Sequence, residues 1–320
     1  MPDATMTPHS SLVPLDHAEG LEPLLDQLVE MAWEPGWAPL VLSRLIALCA
    51  ALRSPAAPQP WAESLARLRA HPLQRLMLED PLVRESLLRP GPTPAPIALD
   101  LLIQHESVRP LLDHASRAGH DLATATRQIG YAAAWRAQAR FLARIVDAVA
   151  EREAQAEILT LGAGHLREAG FVSYGRNIAR WVMQENDPEA LALLRRQAPA
   201  GLALRSLRCG LPYFVRRPYL RGCFDLIMVP DLPLLPEPAR LVDAAFAALK
   251  PGGVLLLGSP TAAPPEAAFL EAYLGLTPAW RPAEALAALA HVPPAAEMAR
   301  AQVIPSLEGR RHYLRLERRR

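Results

Sequence analysis

Apolar residues recur at three- and four-residue spacings through Leu21–Met31 and again through Pro39–Leu52, the period of helices with one buried face. A proline-rich break at 55–60 follows. His71-Pro72 opens a further helical stretch with Leu73, Leu76 and Met77; Asp80-Pro81 interrupts it and it resumes to Leu88. Residues 89–96 hold four prolines and one glycine, so the chain there must be extended or turning. From Ala132 to Glu153 the apolar positions Trp135, Ala139, Leu142, Ile145, Val146 and Val149 predict one long amphipathic helix. Its Arg136, Arg140 and Arg144 read as a solvated face.

Beyond residue 150 the period changes. Glu157–Leu161 is a short apolar run ending in Gly162-Ala163-Gly164, and Ile178–Gln184, Leu202–Leu207 and Phe224–Val229 are further strand candidates. Helical patterns at 189–197 and 239–249 separate them. Lys250-Pro251-Gly252-Gly253 reads as a tight turn into a fifth strand, Val254–Leu257, and 309–318 alternates like a strand that closes the sheet antiparallel. Strands alternating with helices predict a doubly wound, mostly parallel α/β sheet. We therefore expect an all-helical domain over 1–150 and a Rossmann-like domain over 151–320.

Composition removes several function classes. Of 320 residues 51% are hydrophobic and 21% charged, enough apolar surface for a packed core. Lys+Arg is 34 against Asp+Glu 33, a net charge of +1, which gives no electrostatic reason to expect nucleic acid or an anionic membrane as partner. Cys49, Cys209 and Cys223 are widely spaced and form no Cys-x-x-Cys, and the nine histidines show no ligand spacing, so neither a disulfide framework nor a metal site is expected. Met1-Pro2-Asp3-Ala4-Thr5 lacks the pattern of a secretory signal, and the longest apolar stretch is too short to span a bilayer. The expectation is a cytoplasmic protein with no metal.

Candidate chemistry centres on the glycine turn. Gly162 and Gly164 follow the first strand, where glycines let a ligand approach the backbone and a helix N-terminus would face it. A dinucleotide fingerprint would have a third glycine at position 167, where Arg167 stands. Glu185 ends the second strand about twenty residues on, placed to accept from the two hydroxyls of a ribose or, alternatively, to favour the start of the next helix. His165, directly after the glycines, is a candidate general base, with no orienting partner visible in the sequence.

With these elements in order, the sequence resembles the class I S-adenosylmethionine-dependent methyltransferases, in which "FDLI" (224–227) is the fourth strand and "LKPGGVLLL" (249–257) the turn into the fifth. Gly164-His165-Leu166-Arg167-Glu168-Ala169, His71-Pro72-Leu73, Asp80-Pro81 and Glu185-Asn186-Asp187-Pro188 are similar to motifs of the bacterial 3-hydroxypalmitic acid methyl ester biosynthesis group. The chain departs from that group at Arg89–Pro96, where a Lys-Pro-Arg-Gly-Tyr-Ala-Gly-Asp stretch is replaced, and after the fourth strand at Asp231–Leu235. Asp100 stands where the group carries a later aspartate.

The resemblance implies S-adenosylmethionine as cofactor, held by Gly162, Ala163, Gly164, Glu185 and Asn186, with Arg208 near its adenine end and Asp231 near its methionine end. It implies methyl transfer to a small apolar acceptor, such as the carboxyl group of a fatty or hydroxy fatty acid, under a lid formed by the helical half. Two other readings stay open: an inactive methyltransferase-fold protein serving in protein interaction, and an NAD(P)-dependent oxidoreductase on the same fold.

Overall fold

The computed structural model describes residues 20–197, 201–207, 210–216, 221–232, 237–261 and 263–320. Its first half is helical: α1 (Leu21–Ala32), α2 (Ala38–Arg53), α3 (Trp61–Ala70), α4 (Pro72–Met77), α5 (Pro81–Leu88), α6 (Pro96–Ile103), α7 (Arg109–Asp113), α8 (Arg117–Thr126) and α9 (Gly130–Arg152). The breaks seen in the sequence are capped starts. His71 Nδ1 accepts from the Leu73 amide and Asp80 Oδ1 from the Leu82 amide, and each is followed by proline at the first helical position. Asp80 is fully buried and also accepts from the Thr126 hydroxyl, which ties α5 to α8.

The second half builds a seven-stranded sheet in the order β3-β2-β1-β4-β5-β7-β6. The strands are β1 (Ala156–Leu161), β2 (Ile178–Gln184), β3 (Leu204–Leu207), β4 (Phe224–Val229), β5 (Leu249–Pro260), β6 (Met298–Pro305) and β7 (Arg311–Arg318). β1 to β5 pair parallel, and β7 lies antiparallel between β5 and β6. Strands β1 and β4 are apolar nearly throughout because both faces are covered. The remaining helices are α10 (Pro188–Gln197), α11 (Leu211–Arg216), α12 (Pro238–Ala248), α13 (Ala267–Leu274) and α14 (Ala283–Ala287).

Two expectations about the sheet and its connections change. Lys250–Gly253 is no free turn: it lies within β5, and the register with β4 jumps from Phe224↔Leu249 to Leu226↔Val254, so the Pro-Gly-Gly residues bulge opposite Asp225. Asp225 holds the bulge by accepting from Lys250 Nζ at 2.7 Å and the Glu157 amide at 2.8 Å. The glycine turn after β1 leads into no α-helix. Two short 3₁₀ turns, Arg167–Phe171 and Gly175–Asn177, carry the chain to β2. Asp147 of α9 takes the Ser173 and Tyr174 amides at 2.8 and 2.9 Å, so α9 supplies the support that an intervening helix would give.

The cores cross residue 150 in both directions. Leu142, Val146, Val149 and Ala150 of α9 pack on the sheet with Ile158, Trp181 and Leu226. Phe269, Leu270, Tyr273 and Leu274 of α13 are buried among Leu45, Leu68 and Leu82 of the helical half. Helical half and sheet are thereby laced together by α9 and α13. Arg136 is not on a solvated face: its Nη1 donates to the carbonyls of Leu102 at 3.0 Å and Arg127 at 2.7 Å, closing the ends of α6 and α8. Arg318, the last residue of β7, donates to Leu249 O and Glu297.

Candidate functional site

The chain leaves β1 through alternate residues in the left-handed region: Gly162 at φ 72°, Gly164 at φ 52° and Leu166 at φ 49°. The two glycines adopt this freely; Leu166 carries strain of order 1 kcal/mol, held in place by its burial beneath α9. A Cβ at Gly162 would meet nothing within 4 Å, and one at Gly164 only Leu99 Cδ2 at 3.9 Å. Both positions therefore present bare backbone to open space, and both line a cavity of about 450 Å³.

The amides of this loop point the other way. Gly162 N donates to Gln184 O and to Gln184 Oε1, and Ala163 N to Gln184 O at 3.0 Å. Gly164 N donates to Glu185 Oε2 at 2.7 Å. The other oxygen of Glu185 accepts from the amides of Asn186 at 2.7 Å and Asp187 at 2.9 Å. Glu185 is thus a strap between the end of β2 and the glycine loop, its half-buried carboxylate still at the cavity wall. Asp187 is the helix-starting acid: its Oδ1 accepts from the Glu189 and Ala190 amides of α10. Asn186 is exposed and accepts from Gln184 Nε2 at 3.1 Å.

His165 has the orienting partner that the sequence did not reveal. Its Nδ1 lies 2.7 Å from Asp100 Oδ2, and Arg167 donates to both oxygens of the same carboxylate at 2.7 and 2.6 Å. Asp100 sits on α6 of the helical half and is fully buried. Burial alone would raise its carboxyl, but the hydrogen bonds from Arg167 and His165 outweigh that and hold it below the usual range. The cluster clamps the glycine loop to α6. His165 itself is 5% exposed, and the cavity is lined by its neighbours Gly164 and Leu166 and not by its own side chain. The geometry ties His165 into this clamp, behind the cavity wall.

Asp231, just past β4, lines the far side of the cavity and pairs with Arg311 Nη2 at 2.6 Å. Burial raises the Asp231 carboxyl above its ordinary value, opposed by that guanidinium, which is 2% exposed and lies over the Trp135 ring. Trp135, Ala139 and Leu142 of α9 make an apolar wall, and 89–96 with Leu99 and Ile103 make the wall from the helical half. Arg89 spans the mouth, pairing with Asp187 at 2.5 Å and Glu189 at 2.7 Å. Glu168 also lines the cavity; burial pushes its carboxyl up to about 7, and its Oε1 has no hydrogen-bond partner among the described residues. Arg208 and Cys209 lie outside the described residues. No group of acidic, histidine or cysteine side chains that could hold a metal ion occurs among the described residues.

The cavity therefore opens at the carboxyl ends of β1, β2 and β4, where the strand order reverses on either side of β1. Open α/β sheets bind ligands at such a crevice. No family model matches the sequence, and no curated protein does. A solved structure from Bordetella parapertussis, described as a possible exported protein, is similar over 95% of this chain and 99% of that one, with a TM-score of 0.60 and 15% identity. A protein from Thermobifida fusca with a provisional assignment as a methyltransferase is similar over 78% of this chain and 99% of that one, with a TM-score of 0.50 and 18% identity. The fold is that of the class I methyltransferases. No helix among the described residues is long and apolar enough to cross a membrane.

Of the residues singled out in the sequence, the structure brings Gly162, Ala163, Gly164, Glu185 and Asp231 to one cavity and leaves Asn186 at its outer edge. Sequence reasoning did not find Glu168 or the Trp135–Leu142 face as site residues. Nothing in the sequence singled out Glu168, which follows Arg167 directly and reads as one half of a surface charge pair.

Proposed function

We propose that the chain is an S-adenosylmethionine-dependent methyltransferase acting in the cytoplasm on a small, largely apolar acceptor. The observation that carries this reading is the glycine loop, whose carbon edges face the cavity while its amides are tied inward to Gln184 and Glu185. A dinucleotide needs free amides and a helix N-terminus for its diphosphate. Here the amides of 162–164 are engaged and a 3₁₀ turn follows. A nucleoside ligand without phosphate meets neither objection, which sets the NAD(P) reading aside.

Gly162, Ala163 and Gly164 would hold the cofactor by close contact, Glu185 and Asn186 would face its ribose, and Asp231 the methionine end. When bound, S-adenosylmethionine supplies a methyl group already activated by a sulfonium. The chain's own task is then to place an acceptor and exclude water. Trp135, Ala139 and Leu142 from one side and Leu99, Ile103 and the prolines of 89–96 from the other provide the dry wall. Cys49 and Cys223 are free thiols, which fits a reducing compartment.

The resemblance adds carboxyl O-methylation of a fatty or hydroxy fatty acid as a finer reading, and an apolar wall of this kind suits the chain of such an acceptor. Each buried methylene should contribute about 0.8 kcal/mol to its binding. Incubation of the purified protein with methyl-labelled S-adenosylmethionine and a panel of fatty acids, fatty alcohols, phenols and amines tests the activity. Label is expected in an organic-soluble product, at a rate rising with chain length until the cavity is full. Cofactor binding with no label in any acceptor would favour the inactive, interaction-serving alternative.

A further inference from the structure

Gln138 stands among the apolar residues of α9 that wall the cavity, and it is 3% exposed. Its Oε1 accepts from the Tyr313 hydroxyl at 3.3 Å. The Arg311 guanidinium, which has donors only, also interacts with that hydroxyl. The hydroxyl hydrogen is therefore left for Gln138, and the amide turns its oxygen to Tyr313. The amide nitrogen has no partner among the described residues. Glu168 Oε1 and Trp135 Nε1 are sealed in the wall, but Gln138 Nε2 keeps accessible surface, and the space that Gln138 lines is this cavity. An amide –NH2 so placed is completed by whatever fills the cavity.

The other polar side chains of the wall set no such direction. Arg89 is taken by Asp187 and Glu189, Arg167 by Asp100, and Asp231 by Arg311. Glu185 accepts from three amides. The Thr93 hydroxyl can give or take a hydrogen bond, whereas the Gln138 –NH2 can only give. Resting on the methyltransferase reading for what the cavity is used for, we propose that Gln138 recognises the acceptor by donating to an oxygen on it, so that the acceptor is a carboxylate or hydroxyl compound with an apolar body and not an amine. A protonated amine has no lone pair to offer this donor. Gln138 is then a specificity-determining residue, its aim fixed by Tyr313.

Calorimetric titration near pH 7 with octanoate, octanol and octylamine, with and without saturating S-adenosylhomocysteine, tests this in wild type, Gln138→Met and Gln138→Glu. Gln138→Met removes the donor at nearly constant volume. It should weaken octanoate about tenfold and octanol about threefold, and leave octylamine within about twofold. Gln138→Glu keeps an oxygen for Tyr313 and puts a second oxygen where the donor stood. It should weaken octanoate at least about tenfold and strengthen octylamine. Equal changes for all three ligands, the result of a purely structural role, would overturn the proposal, as would no binding of any of them to wild type. S-adenosylhomocysteine should bind all three proteins to within about threefold. A tenfold loss of that binding in Gln138→Met would assign the amide to the carboxylate of the cofactor and overturn the proposal as well. A Gln138-dependent oxygen preference that stands while S-adenosylhomocysteine fails to bind wild type would remove the methyltransferase reading and leave the role of Gln138 in the cavity intact.

Discussion

Asp100→Ala is expected to destabilise the folded protein by about 3–5 kcal/mol, the usual cost of removing one partner of a buried ion pair. The substitution leaves the Arg167 guanidinium, 10% exposed, without its bidentate carboxylate, and removes the carboxylate from His165 Nδ1. It also releases the glycine loop from α6, so that the turn bearing Gly162 and Gly164 loses its only ion-paired tether to the helical half among the described residues. The exposed pair Arg67–Glu22, with side chains 36% and 55% exposed, provides the contrast: Arg67→Ala should cost less than about 1 kcal/mol. Urea denaturation midpoints of the two variants decide the matter. A loss below about 1 kcal/mol in Asp100→Ala would mean that the loop is held by packing and that the clamp is incidental.

Glu168 predicts a pH dependence of opposite sign to that of most carboxylates. Its ionisation lies near 7 in the folded protein, raised by burial from an ordinary value of 4.5. Between those two values the folded protein holds a proton that the unfolded chain has already lost, so stability falls as pH rises. The contribution is complete below about 4.5 and gone above about 7, and amounts to about 3 kcal/mol. The charged groups on the packed elements do not offset it: Arg140 of α9 lies over the Phe171 ring, Arg167 is engaged by Asp100, and Glu185 and Asp231 have their own partners. Asp80, raised by burial to about 6, adds a slope of the same sign at lower pH, and it is common to wild type and variant. Glu168→Gln should therefore lose only the upper part of the decline, seen as the difference between the two stability curves from pH 4.5 to 8. Parallel curves would show that the carboxyl is solvated in solution.

Much of the sheet was legible because its central strands are buried on both faces. Ile178–Gln184 and Phe224–Val229 are runs whose apolar content has no helical alternative of that length, and both were placed to the residue. Met298–Pro305 escaped notice for the opposite reason. As the outer strand it is largely exposed, reads as Met-Ala-Arg-Ala-Gln-Val-Ile-Pro, and becomes a strand only through pairing with β7. Pro96–Ile103 was hidden by the prolines before it, although proline at its first position is what starts the helix.

The glycine loop was legible as a ligand site but not as this kind of loop. Nothing local says that Gln184 and Glu185 will take its amides, or that Asp147 on α9 will replace the missing helix. The pairing of Asp100 with His165 joins residues 65 apart in sequence, and no spacing rule reaches that far.

Titration of the protein with S-adenosylhomocysteine and, separately, with NADH tests the central claim most directly. One site for S-adenosylhomocysteine is expected, with stabilisation of about 2.7 kcal/mol at a hundred times its dissociation constant, and no binding of NADH. Glu185→Ala should weaken that binding by about 1.5–3 kcal/mol and Asp187→Ala by much less: both line the cavity, but Glu185 straps the glycine loop, whereas Asp187 is engaged by the start of α10 and by Arg89. Binding of NADH without S-adenosylhomocysteine, or no response to S-adenosylhomocysteine at millimolar concentration, would contradict the claim that this cavity receives a methyl donor.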